Sequence, residues 1–285
     1  ILSSNSPSDY LVSFFLARSE KSLLSVVKKH NVHFFSFNSP LTTKVIEAVG
    51  LPRQPNKNWI AHISPDDEQA GFDMADYLIT NSVNERRKIQ MLALNGDWGS
   101  DVAEIRKEGL MRRVAQSSHV TLLQVARTNW SYDDARQKMK MLLKRFDQID
   151  AIWSASDEMA IAAVAELEMN SMRPTSSPKI ASIDWTPSIV PYLDSNKTTV
   201  SFGGHIFEGI WLLGLIYDHY HSLDFYPELG GIIKYRLRPV GHLHSQWLLD
   251  IKQATFDFSL ASKCFSSGAA EYRFDALSLL KQNAL

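Results

Sequence analysis

The chain predicts a doubly wound α/β fold of two lobes, with parallel sheets covered by helices on both faces. Three observations carry that prediction. A strand, helix, strand unit opens the chain: β-branched and aromatic "DYLVSFF", then "SEKSLLSVVKKH" with Leu23, Leu24, Val26 and Val27 at helical spacing, then "VHFFSFNS". The pattern returns in the second half, where "AIWSAS" from Ala151 leads into the helix "EMAIAAVAELEM" and, past Pro174 and Pro178, into the strand "KIASID". Two similar halves in 285 residues, a length that suits two domains better than one, imply two similar lobes.

The remaining segments keep the alternation. "WIAHIS" is a strand, "KIQMLALNG" from Lys88 another, and "SDVAEIRKEGLMRRVAQ" a helix; "VTLLQVAR" and "SYDDARQKMKMLLKRF" repeat the pair. The most apolar stretch, "GIWLLGLIY" from Gly209 to Tyr217, is far shorter than the ~20 residues that cross a bilayer, so it reads as a core helix. Ahead of all this, "ILSSNSPSDYL" reads as the end of a connection before a strand that begins at Asp9. No basic segment followed by an apolar one opens the chain, so any export signal is expected to have been removed or never included.

Composition excludes several classes. With 45% hydrophobic residues the chain is neither disordered nor fibrous. Thirty Lys and Arg against 31 Asp and Glu leave a formal charge of −1, which gives no footprint for nucleic acid or an anionic membrane. Cys264, the only cysteine, rules out an internal disulfide and a cysteine-based zinc site. His219 and His221, two apart on a helix, do not share a face, and His242 and His244 would share a strand face but have no third ligand. Dinucleotide, nucleotide and nucleophile-elbow motifs are all missing, so neither cofactor nor catalysis is expected.

Parallel sheets of this kind bind ligands outside the carboxyl ends of their strands. Those ends here carry Asn38, Asp66 and Asp67, Asp97 and Trp98, Asn129 and Trp130, Ser156 and Asp157, and Asp184 and Trp185. Planar polar groups beside indoles suit a polyhydroxylated ligand, with hydroxyls hydrogen-bonded and the apolar ring face stacked. The plainer alternative is helix capping, since Asp and Ser at a strand-to-helix junction accept from orphan helix amides. For Asp157 the cap is favoured. At Asp184 the following Thr186 is the better cap and Pro187 fits the first turn, which points Asp184 toward a ligand.

"SPDDEQAGFDMADYLI", "AEIRKEGL", "AIWSASDEMAIAAVAEL" and "IASIDWTPS", in this order and spacing, resemble the periplasmic type I solute-binding proteins, the ribose- and galactose-binding group shared with the effector domains of LacI-type repressors. The resemblance runs from about Asp9 to about Tyr235. It implies two Rossmann-like lobes with parallel sheets joined by a three-crossover hinge and closing over a sugar or similar small molecule. Residues 1–84 and 203–238 would form the N-terminal lobe, 86–202 the C-terminal lobe, and 239–285 a crossover and tail. The family's aspartate falls on Asp66, its polar residue on Glu104 ahead of an R-x-x-G turn at Arg106 and Gly109, its stacking aromatic on Trp130, its asparagine on Ser156 and its late aspartate on Asp184. The hinge falls at Phe202 to His205, where Gly203 and Gly204 supply backbone freedom.

Two features depart from the pattern. Family members begin with two strands and two helices ahead of the point where this chain starts, and Glu104 and Ser156 stand where arginine and asparagine are frequent. The expected ligand set is therefore Asp66, Trp98, Glu104, Trp130, Ser156, Asp184, Trp185 and His205, with the ligand a sugar or polyol of open identity. His205 reads equally as a pocket residue or a helix-start histidine. The resemblance implies capture of a solute in the periplasm for the permease of an ABC transporter. Presentation of a bound signal to a membrane sensor kinase is the alternative. A LacI-type effector domain is a third, against which the neutral charge and the long tail count.

Overall fold

A computed structural model describes residues 8–15, 19–82, 87–169, 177–251, 261–265 and 271–283. The opening connection, the loop around Pro174 and the 84/86 lobe boundary lie outside these residues, as does part of the tail. In chain order the first half runs β1 (Tyr10–Ser13), α1 (Glu20–Lys29), β2 (His33–Phe37), α2 (Thr43–Val49), β3 (Trp59–Pro65), α3 (Asp67–Asn81), β4 (Ile89–Asn95), α4 (Asp101–Ala115), β5 (Val120–Arg127) and α5 (Tyr132–Arg145). The second half continues with β6 (Ala151–Ser154), α6 (Asp157–Met169), β7 (Lys179–Ile183), α7 (Val190–Asp194), β8 (Val200–Gly203), α8 (Glu208–Tyr220), α9 (Tyr226–Leu229), β9 (Ile232–Tyr235), β10 (Arg238–Gly241), α10 (Trp247–Asp250) and α11 (Ala276–Asn283).

Local chemistry explains the helix starts. Thr42, Ser100 and Ser131 each turn a hydroxyl oxygen to an orphan amide, accepting from Val45, Ala103 and Asp134 respectively. Gly50 closes α2 with φ of 82°, where a side chain would strain the backbone.

The chain divides into two compact units. One comprises Ile1–Asp66, His205–Arg236 and Phe256–Asp275; the other comprises Asp67–Gly204, Leu237–Thr255 and Ala276–Leu285. The first holds a parallel sheet in the order β1-β2-β3-β9. The second holds β10-β8-β7-β6-β4-β5, parallel throughout except for β10, which runs antiparallel to β8. β3 is buried along its whole length and β4 at every residue but Gln90, as strands covered on both faces must be. The fold is the two-lobed α/β class with parallel-dominated sheets.

The chain passes between the units five times, at Asp66/Asp67, Gly204/His205, Arg236/Leu237, Thr255/Phe256 and Asp275/Ala276, two more than the expected three because the tail is shared between them. The first comes earlier than expected because α3 belongs to the second unit. A Cβ on Gly71 of α3 would lie 1.9 Å from the Arg106 carbonyl oxygen, and one on Gly109 of α4 would lie 1.9 Å from that of Glu68. These reciprocal glycines let two helix backbones meet almost directly. Trp153 of β6 then donates its indole N–H to the Gly71 carbonyl at 3.1 Å, fixing α3 to the second sheet. Arg106 and Gly109 are therefore helix-crossing residues and not a turn.

Candidate functional site

The carboxyl edges of the two sheets collect the polar residues that the sequence marks. In the first unit Asn38 follows β2 with φ of 65° and donates its N–H to Glu208 Oε1 at 3.3 Å. Glu208 opens α8 and is buried, although sequence reasoning passed over it as part of an apolar helix. Asp66 follows β3, half-buried, with its amide bonded to Tyr235 O at 2.8 Å and its carboxylate 4.0 Å from Lys234. His205 begins a short 3-10 turn ahead of α8.

In the second unit the ends of β4 and β5 form one group. Trp130, with φ of 70°, lays its indole over the backbone after β4, where a Cβ on Gly96 would lie only 2.0 Å from the ring. Gly96 is thus the absence of a side chain that an aromatic ring needs. Trp98 is 75% exposed, and the guanidinium of Arg127 stands 4.5 Å over its ring. Glu104 reaches the same place from the first turns of α4 and is bridged to both Lys107 and Arg127. The hydrogen bond from Lys107, joined by that from Arg127, holds its carboxyl below the usual range. Arg127 went unnoticed in the sequence because a basic residue ending a strand carries no signal of its own.

The ends of β6 and β7 form the other group, and the expected division of labour there is reversed. Ser156 caps α6, its Oγ accepting from Met159 N–H at 3.4 Å. Asp157 is fully buried and accepts four hydrogen bonds: from Ser182 Oγ at 2.6 Å, Ser201 Oγ at 2.7 Å, and Thr186 N and Oγ1 at 2.8 and 3.0 Å. It ties three chain segments together where a cap was predicted. Asp184, with φ of 144°, turns a carboxylate oxygen toward the Asp157 N–H at 3.4 Å, so it borders the start of α6.

Burial, followed by the neighbouring Asp157 carboxylate, pushes Asp184 up to about 7, with the Arg106 guanidinium opposing. Asp157 is itself raised to about 6 by burial, against the pull of its four donors. Arg106 is held by Asp67 at 2.7 Å and by the Ala155 carbonyl at 2.7 Å. One fixed cation thus stands near two carboxylates, those of Asp67 and Asp184.

Trp185 leaves the candidate set. Only 1% exposed, it gives its indole N–H to Ser201 O at 2.9 Å and packs on β8, where a Cβ on Gly203 would fall 2.2 Å from the ring. Gly203 accordingly serves that contact as a strand residue. Gly204, with φ of 127°, is the glycine whose backbone conformation demands it, and it sits at the second chain crossing. His242 and His244 lie on a 3-10 turn and not on a strand. Among the described residues no group of three or more His, Cys, Asp or Glu could hold a metal ion, and no helix is long and apolar enough to cross a membrane.

Residues 20–204, well over half of the chain, match the family model of the periplasmic binding protein domain. The chain belongs to this family. A periplasmic sugar-binding protein from Pseudomonas fluorescens is similar over 98% of this chain and 83% of its own, at 25% identity and a TM-score of 0.81. An ABC transporter periplasmic solute-binding protein from Actinobacillus succinogenes, solved with D-allose bound, is similar over 84% of this chain and 80% of its own, at 18% identity and a TM-score of 0.67. An ABC transporter solute-binding protein from Bacillus halodurans with bound myo-inositol is similar over 84% and 76%, at 15% identity and a TM-score of 0.65. The last two share the fold of this periplasmic binding protein. No curated protein matches the chain.

Proposed function

We propose that this periplasmic binding protein captures a sugar or polyol and hands it, chemically unchanged, to the permease of an ABC transporter. The observation that carries the reading is where the backbone is strained. Among the described residues eight non-glycine positions have positive φ, and Asn38, Trp130, Asp184 and Trp185 sit directly at carboxyl ends of parallel strands. Asparagine tolerates that conformation; tryptophan, and aspartate at 144°, do so at a cost of about 1–3 kcal/mol each. The strain at Trp185 serves its packing on β8, whereas at Trp130 and Asp184 it falls on the edge where such sheets bind ligands and supports a reading of side chains aimed for a purpose.

In this reading Asp184 accepts ligand hydroxyls, Trp130 supplies an aromatic face, and Glu104 with Arg127 offers an acceptor and a donor side by side. On the first unit, taken by itself, the same reading assigns ligand contact to Asp66 and His205. Ser156 remains beside the ligand while its hydroxyl caps α6, and Trp98 contributes from its place over Arg127. Transport is favoured over signal presentation because two of the similar structures belong to ABC transporters. A thermal-shift panel of aldoses, polyols and inositols tests the reading, since ligand at a hundredfold excess over Kd stabilises by about 2.7 kcal/mol. Calorimetry of the best ligand against Asp184→Ala should show a loss of about 1.5–3 kcal/mol, the range for a hydrogen bond to a charged group. Stabilisation by no member of the panel, or unchanged binding to the variant, overturns it.

A further inference from the structure

The first unit carries a second concavity, on its helical layer, that the solute site does not use. A cavity of about 290 Å³ opens between α1, α2 and the turn that precedes β3, at the small end of small-molecule sites. Leu24, Val49 and Pro55 give it an apolar lining, and Lys21 and Lys28 stand at its margin on α1. Seven residues on one helix face separate the two lysines by two turns, about 10 Å along the axis.

Three facts argue that this is a formed site. The turn is built to hold Pro55 in place: a Cβ on Gly50 would lie 2.3 Å from Gln54 O and 2.5 Å from Pro55 Cδ. Asn56, only 8% exposed, donates its side-chain amide to the Leu24 carbonyl at 3.0 Å and accepts from Asn58 N–H at 3.0 Å, which fastens the turn to α1. Finally, the lining holds no acidic residue, and among the described residues neither lysine pairs with a carboxylate. A cation near the end of α1 complements the helix dipole, which accounts for Lys28. Lys21 lies in the first turn, where a positive charge opposes the dipole, so the dipole does not account for it.

We infer that this groove binds an α,ω-dicarboxylate, with one carboxylate at Lys21, the other at Lys28 and the methylene chain across Leu24, Val49 and Pro55. Two cations at the ends of an apolar floor are complementary to an apolar chain charged at both ends. A neutral sugar would leave both ammonium groups unmatched, and a short diacid would not span them.

Azelate is the test ligand, titrated into the intact isotope-labelled protein and followed by amide chemical shifts, with nonanoate and succinate as controls. Azelate should perturb α1, α2 and residues 50–56, and should bind at least tenfold tighter than either control. Lys21→Gln and Lys28→Gln should each bring azelate to the level of nonanoate, and Ala48→Trp, which fills the groove and keeps both charges, should abolish binding. Both lysine variants should keep wild-type stabilisation by the best sugar, which separates this site from the solute site and from misfolding. Equal affinity for azelate and nonanoate, shifts mapping elsewhere, or lysine variants that bind azelate as wild type does, would each overturn the inference.

Discussion

Asp157 and Ser156 show how adjacent residues at one junction take unlike tasks. Because Ser182, Ser201 and Thr186 all donate to Asp157, truncation leaves several buried donors without an acceptor. Asp157→Ala should therefore cost about 3 kcal/mol in urea melts, well above the ~1 kcal/mol of a lost cap, and Ser156→Ala should cost about the latter. Titration adds a signature of opposite sign in the two units. Asp157 and Asp184 have folded pKa values raised to about 6 and about 7, above the ~3.9 of an unfolded aspartate, so the folded state binds the extra proton. Their contribution is full below about pH 4 and is lost as pH rises to about 7. His62 behaves inversely: buried in β3 with Nδ1 2.9 Å from Ser36 Oγ, it is lowered to about 3 by burial. Its contribution is present above about pH 6.5 and is lost as pH falls toward 3, at up to about 1.4 kcal/mol per pH unit. Hydrogen exchange from pH 4 to 7 should show the first unit gaining protection with pH and the second losing it. Asp184→Asn should flatten the second trend, and its persistence in that variant would count against the coupled pair.

At the scale of elements, the alternation of apolar runs and helical periodicity in the sequence located β1 to β7 and the helices α1, α4, α5, α6 and α8, because parallel strands and their covering helices bury side chains continuously, and it passed over α2, α3, α7 and β8. Which helix joins which sheet was hidden. The assignment of α3 depends on Gly71 and Gly109 meeting Arg106 and Glu68 from another helix, a contact between sites more than thirty residues apart that no local pattern encodes. The same limit applied to the site. Strand-end polar residues were legible by position, whereas the roles of Ser156, Asp157 and Trp185 depended on partners across the sheet, and Arg127 and Glu208 became visible only through what they touch. The α3–α4 crossing gives a sharp test. Gly109→Ala raises helix propensity by about 1 kcal/mol, yet its methyl would collide with the Glu68 carbonyl, a backbone atom that cannot swing aside. Sterics should win, with a net loss of about 1–3 kcal/mol on denaturant unfolding; a neutral or stabilised variant would show that the helices can separate at no cost.

At the scale of the whole molecule, the near-equality of 30 basic and 31 acidic side chains bears on how solute finds the protein. A chain this close to neutrality projects little long-range field, and an uncharged sugar would not respond to one. The charges near the proposed solute site are also largely spent on one another: Glu104 on Lys107 and Arg127, and Arg106 on Asp67. Affinity there should come from short-range hydrogen bonds and ring contact, neither of which salt screens appreciably. Dissociation constants for the best sugar at 50 mM and 500 mM sodium chloride should agree within about twofold, since the Debye length falls over that range while contacts at hydrogen-bond distance are unaffected. Azelate at Lys21 and Lys28 should behave differently, because both its contacts are ion pairs at an exposed margin, where the same increase in salt weakens attraction. One titration series with both ligands separates the two sites by physical origin: a sugar affinity that falls steeply with salt would mean that the ligand is charged and that the polyhydroxylated class is the wrong one.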